Sequence, residues 1–145
     1  MKALIIYDSM YGNTEKIAQA IGGAIAGDVK VVRVGEVNPS ELEAVDLLIV
    51  GSPTQGGRPT QAIQDFLDRS SSAIKGINVA AFDTRLSARW PRIFGYAAGR
   101  IAGNLKGKGG TLVASPEGFF VKGTKGPLKE GELERAASWA KGIAK

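Results

Sequence analysis

Apolar runs bounded by turn residues alternate along the chain with segments whose apolar residues recur at helical spacing, the pattern of βα units wound around a parallel sheet. Five strands are predicted, over residues 2 to 8, 29 to 34, 46 to 51, 77 to 82 and 110 to 115. The first, third and fourth are almost continuously apolar, as strands covered by helices on both faces must be. The second, Val29-Lys30-Val31-Val32-Arg33-Val34, interleaves charge with valine and belongs at a sheet edge. Between the strands, Ile17, Ile21, Ala24 and Ile25 share one helical face, as do Ile63, Phe66 and Leu67. Ala97, Ala98, Ile101, Ala102 and Leu105 form a third such face, and Leu133, Ala136, Ala137 and Ala140 a fourth. A short helical turn is expected after Pro39-Ser40, where proline precedes a Glu-rich first turn.

Five parallel strands with right-handed crossovers, the second at an edge, give the order 2-1-3-4-5. The expectation is a single domain over residues 1–145, a three-layer, doubly wound α/β sheet. Such a sheet binds its ligand beyond the carboxyl ends of the strands, where the winding reverses between strands 1 and 3. The loops after strands 1, 3 and 4 are therefore the candidate site.

Composition narrows the chemistry. The chain has no cysteine and no histidine, which removes thiolate nucleophiles, thiolate metal sites and the usual general base near neutral pH. Chemistry is then expected to come from a bound cofactor. The longest apolar runs fall far short of the roughly 20 residues of a membrane span. The N-terminal run into Tyr7-Asp8 is too short for a signal peptide, so a cytoplasmic location is expected. The net charge is +5, and Thr84 to Lys125 holds eight basic residues against one acidic, Glu117. That segment is either a solvated face or a surface that steers an acidic partner or an anionic small molecule. Nucleic acid is not expected to be the partner, because aromatics are few there and no recognition motif is present.

The first loop, Ser9-Met10-Tyr11-Gly12-Asn13-Thr14, joins a buried strand to a helix that starts near Asn13. Amides at a helix N-terminus lack internal partners, so with the Ser9 and Thr14 hydroxyls and the Asn13 amide they can surround a phosphate. The competing reading is that Ser9 and Asn13 only cap the helix. The loop holds no lysine or arginine, ends in no P-loop Gly-Lys-Ser/Thr and has no dinucleotide Gly-x-Gly-x-x-Gly.

The stretch Tyr7 to Glu15 resembles the FMN-phosphate loop of the flavodoxin family, Ser/Thr-x-Thr-Gly-x-Thr, with Tyr11 in place of the middle threonine. Its Ser-Met-Tyr-Gly form is also similar to that of flavodoxin-like quinone reductases, which are longer chains. The resemblance implies a flavodoxin-like fold and non-covalently bound FMN. In the second loop it assigns Ser52, Pro53, Thr54, Gln55, Gly56 and Gly57 to the flavin. Gln55 stands where flavodoxins often stack an aromatic ring, and Gly56-Gly57 is either a reorienting peptide at the flavin or an ordinary Gly-Gly turn. In the third loop it assigns Asp83, Thr84 and Arg85 to the pyrimidine edge and Trp90 to stacking, with Arg85, Arg89 and Arg92 placing positive charge nearby.

The resemblance leads to the expectation of an electron carrier between redox partners. The alternative is an FMN-dependent oxidoreductase acting on a quinone or a porphyrinogen-type small molecule. A response-regulator receiver shares the topology, but the chain offers only Asp8 of the first acidic pair. It has Gly51-Ser52 where the phosphorylated aspartate should be and Ala114-Ser115 in place of the lysine.

Overall fold

The computed structural model describes residues 1–70, 73–86 and 96–144. Strands β1 (Lys2–Tyr7), β2 (Asp28–Arg33), β3 (Leu47–Pro53) and β4 (Asn78–Leu86) form a parallel sheet in the order β2-β1-β3-β4, with β5 (Thr111–Leu112) beyond β4. The predicted order is the observed one. Helices α1 (Asn13–Ala24), α2 (Gln61–Arg69), α3 (Ala97–Gly107) and α4 (Glu132–Ile143) complete the layers. The crossover from β2 to β3 contains two single 3-10 turns, Val34–Glu36 and Pro39–Leu42. The second is the turn expected after Pro39, closed by the Asn38 amide on Glu41 Oε1 at 3.0 Å.

Strand alternation sorts the core into two faces. Leu4 and Ile6, Leu48 and Val50, and Val79 and Ala81 pack with Ile63, Phe66 and Leu67 of α2 and Ile101 and Leu105 of α3. Ala3, Ile5, Leu47, Ile49, Ala80 and Phe82 point the other way, onto Ile17 and Ile21 of α1 and Ala136 and Ala140 of α4. A T-shaped cluster of Phe82, Phe119 and Trp139, with centroids 6.1–6.3 Å apart, fills the second face near the strand ends.

Three expectations need correction. The fifth strand, predicted over residues 110 to 115, is two segments: β5, and β6 (Glu117–Val121), which pairs further along β4. Pro116 lies between them and has no N–H for the ladder, so pairing stops and restarts. Strands β3 and β4 run past their predicted ends, with Ser52 opposite Asp83 and Pro53 opposite Thr84. Leu133, predicted on the buried face of the last helix, is exposed, and Glu132 points inward in its place. Its carboxylate accepts the Phe120 amide at 2.7 Å, while Ala136 and Ala140 keep the predicted buried face.

Candidate functional site

The carboxyl ends of β1, β3 and β4 open into a cleft of about 240 Å³. Ser9, Met10, Tyr11, Asn13 and Thr14 line it from the first loop, Pro53, Thr54 and Gln55 from the second, and Thr84 and Arg85 from the end of β4. The three predicted loops therefore converge.

The first loop is built around Ser9. Its Oγ accepts the Gly12 amide at 3.0 Å and the Glu15 amide at 3.4 Å, so Ser9 acts as a cap from inside the turn while its hydroxyl proton has no acceptor among the described residues. Gly12 takes a left-handed φ of +89°, and its carbonyl accepts the Lys16 amide at 3.1 Å to open α1. The amides of Met10, Tyr11, Asn13 and Thr14 have no acceptor among the described residues. Thr14 is buried, and its Oγ1 lies 2.7 Å from Thr84 Oγ1, which ties the loop to β4.

A cation stands behind this loop that its own sequence does not supply. Arg33, the last residue of β2, donates to the Ser9 carbonyl at 2.9 Å and pairs with Asp8 at 3.5 Å and Glu15 at 3.4 Å. Its guanidinium also lies 5.4 Å from the Tyr7 ring centroid. Burial first, and then the Glu15 carboxylate, push the Tyr7 hydroxyl above its ordinary range, so it stays protonated.

In the second loop, Gln55 and Arg58 exchange backbone hydrogen bonds of 2.8 and 3.0 Å around Gly56 and Gly57. Both glycines have positive φ, +58° and +81°, the requirement of a primed two-residue turn. Arg100 of α3 donates to the Gly57 carbonyl at 2.8 Å. The Gln55 side-chain amide meets the Met10 sulfur across the cleft. Ser52 is fully buried, and its hydroxyl accepts the Thr60 amide and donates to the Pro53 carbonyl, both at 2.9 Å. It braces the loop from below and does not line the cleft.

Asp83 is also fully buried: Arg85 Nε and Nη2 donate to its two oxygens at 2.7 Å, and the Ala98 amide adds a bond at 2.9 Å. Thr54 Oγ1 accepts the neighbouring Ala97 amide at 3.1 Å, so a cleft-lining threonine and the buried Asp83 together cap α3. The Arg85 charge is thus held by Asp83. Trp90, Arg89 and Arg92 lie outside the described residues. Leu86, Val121 and Thr124, beyond the residues expected from the sequence, line the cleft as well. Gly123-Thr124-Lys125-Gly126 repeats the hydroxyl-and-glycine composition of the first loop, the signal from which Thr124 is recognisable. Among the described residues, no group of three or more acidic side chains could hold a metal ion.

A reversal of winding with unpaired amides at a helix start defines a doubly wound domain built to take a phosphate-bearing nucleotide. The flavodoxin family model matches residues 5–139, and the chain belongs to the flavodoxin family. The flavodoxin of Clostridium beijerinckii is 36% identical over 83 residues, 54% of this chain and 60% of that protein. An NAD(P)H dehydrogenase (quinone) of Acidovorax ebreus (strain TPSY) is 35% identical over 109 residues, 56% of this chain and 54% of that protein. The chain thus spans a little over half the length of these curated relatives. The crystal structure of oxidised flavodoxin 2 from Bacillus cereus superposes with a TM-score of 0.83 at 28% identity, over 99% of this chain and 98% of that one.

Flavodoxins are FMN-binding electron-transfer flavoproteins, and FMN is the cofactor of this chain. The residues present fit it: four amides at the start of α1 lack an acceptor among the described residues, as a phosphate site requires, and apolar, hydroxyl and amide groups border the cleft. No described helix is long and apolar enough to cross a membrane.

Proposed function

We propose that the FMN phosphate rests on Ser9 to Thr14, that the ring system lies between the Pro53–Gly57 turn and the Asp83–Arg85 strand end, and that the loaded protein carries electrons between redox partners. Bound FMN supplies the one- and two-electron chemistry. The chain's own residues bind the phosphate through neutral dipoles, brace the ring walls through Ser52 and Asp83, and leave the mouth of the cleft open.

The observation that carries the reading is how little acid–base equipment the described lining of the cleft holds. Among its described lining residues only Tyr11 and Arg85 ionise, and Asp83 holds the Arg85 charge. Among the described lining residues Tyr11 is the one ionisable group not held in an ion pair, which is little equipment for proton transfer to a bound organic substrate, whereas electron transfer to a docked protein needs none. Met10, Tyr11 and Leu86 are exposed around the mouth, 58%, 47% and 43%, and form the apolar rim that a docking partner would cover. The match to flavodoxin 2 over nearly the whole of both chains supports the same reading.

A second reading, direct reduction of a small acceptor such as a quinone, is favoured by one feature. Gln55 brings no ring to the flavin and is exposed, so a planar substrate could lie on that side. The test is turnover by the purified, FMN-loaded protein. Alone with NAD(P)H and a soluble quinone it should show no steady oxidation, and with a flavoprotein reductase added it should pass electrons to cytochrome c. Sustained NAD(P)H–quinone turnover by the protein alone would overturn the carrier reading.

A further inference from the structure

We propose that Arg33 is a positioning residue for the cofactor phosphate, acting from behind the loop through the Ser9 carbonyl and the Asp8 and Glu15 carboxylates. The proposal rests on the phosphate-loop reading above.

Arg33 ends the edge strand β2, where its register partner is Tyr7. Its Nη1 donates to the Ser9 carbonyl at 2.9 Å, 24 positions away in sequence. A trans peptide points its C=O and N–H in opposite directions. Fixing the Ser9 carbonyl on Arg33 therefore turns the Met10 amide away from β2, on a loop whose Met10 borders the cleft. That amide has no acceptor among the described residues. The contact thus selects the peptide orientation that leaves a donor for an anion.

The second effect is electrostatic. Asp8 and Glu15 flank the loop that is to receive a dianion, and Arg33 is ion-paired to both, at 3.5 and 3.4 Å. Without Arg33 two carboxylates stand uncompensated beside the phosphate, and their repulsion is felt by the phosphate and not by the flavin ring. A residue that merely held the fold together would not make that distinction.

The experiment compares FMN with riboflavin, which lacks the phosphate, by titrating flavin fluorescence against the wild-type protein, R33Q, E15Q and R33Q/E15Q. Wild type should prefer FMN. R33Q should shrink that preference about tenfold at unchanged riboflavin affinity, the size expected for losing one charge-assisted contact. E15Q alone should strengthen FMN binding, and R33Q/E15Q should recover part of the R33Q loss. An R33Q variant that weakens both flavins equally, or weakens neither, overturns the proposal, as does E15Q leaving FMN affinity unchanged. A wild-type protein that binds riboflavin as tightly as FMN sinks the phosphate-loop reading itself, and this inference with it.

Discussion

Gly118 leaves open the space that the Arg85 guanidinium occupies: a Cβ on Gly118 would lie 2.3 Å from both Cζ and Nε of Arg85. The two residues meet across the β4–β6 ladder, where Gly118 is the register partner of Asp83. The guanidinium also lies 3.5 Å from the Tyr96 ring centroid, in cation–π contact. The missing side chain on β6 is therefore what lets a fully buried carboxylate on β4 find its cation.

Removing that cation should be costly. Arg85→Ala leaves the Asp83 carboxylate with the Ala98 amide as its partner among the described groups, a loss of about 3 kcal/mol. Gly118→Ala should cost roughly 2 kcal/mol by pushing the guanidinium off its partner. Adding Asp83→Asn to Arg85→Ala should restore part of the loss. Urea unfolding measures all three, and an Arg85→Ala protein as stable as wild type would show that the pair does not hold the strand end.

The Glu132–Arg135 pair predicts an acid dependence of stability. Arg135 donates to both Glu132 oxygens, at 3.0 and 2.7 Å. That hydrogen bonding, opposed by burial and aided by the Phe120 amide, holds the carboxyl below its ordinary value of 4.5. A carboxyl depressed in the folded state contributes stability that is complete above its unfolded pKa and disappears as pH falls through the folded one. Glu132→Gln should therefore be less stable than wild type by about 2 kcal/mol near neutral pH. The gap should stay constant down to about pH 5 and close below about pH 4.5. Thermal melts across that range check it, and a gap that persists unchanged to pH 3 would remove Glu132 from the acid response.

The apolar runs made the sheet legible because strands buried on both faces can hold little else, and the charged second strand marked its edge for the converse reason. The polar strand ends were not legible. Ser52, Asp83 and Thr84 are buried, yet each is polar, and burial is tolerated only because Thr60, Arg85, Ala98 and Thr14 satisfy them from elsewhere in the fold. The Glu132 and Leu133 exchange has the same origin. A local pattern places the leucine inward, and the Phe120 amide and Arg135 place the glutamate there.

The site divides similarly. Glycines and hydroxyls mark the first two loops, and the structure brings them together. Arg33 was readable only as a charge on an edge strand, since nothing local says that its guanidinium reaches Ser9. Thr124 reaches the cleft because β6 returns parallel to β4, and the split at Pro116 that allows this has no signal in the apolar pattern.

That returning loop carries the last prediction. Gly126 lies so close to Asn13, the first residue of α1, that a Cβ on it would come within 2.7 Å of both amide atoms of the asparagine. Gly126→Ala should displace Asn13 and with it the free amides at the helix start, lowering FMN affinity several-fold. It also incurs backbone strain at φ +99°, about 1 kcal/mol. Gly131 separates the two effects, because it has a similar φ of +84° but open space where the Cβ would go. Gly131→Ala should show the same loss of stability with FMN affinity unchanged. Parallel melts and flavin titrations of the two variants decide the matter. Equal effects on FMN binding would mean that the contact with Asn13 does not shape the phosphate loop.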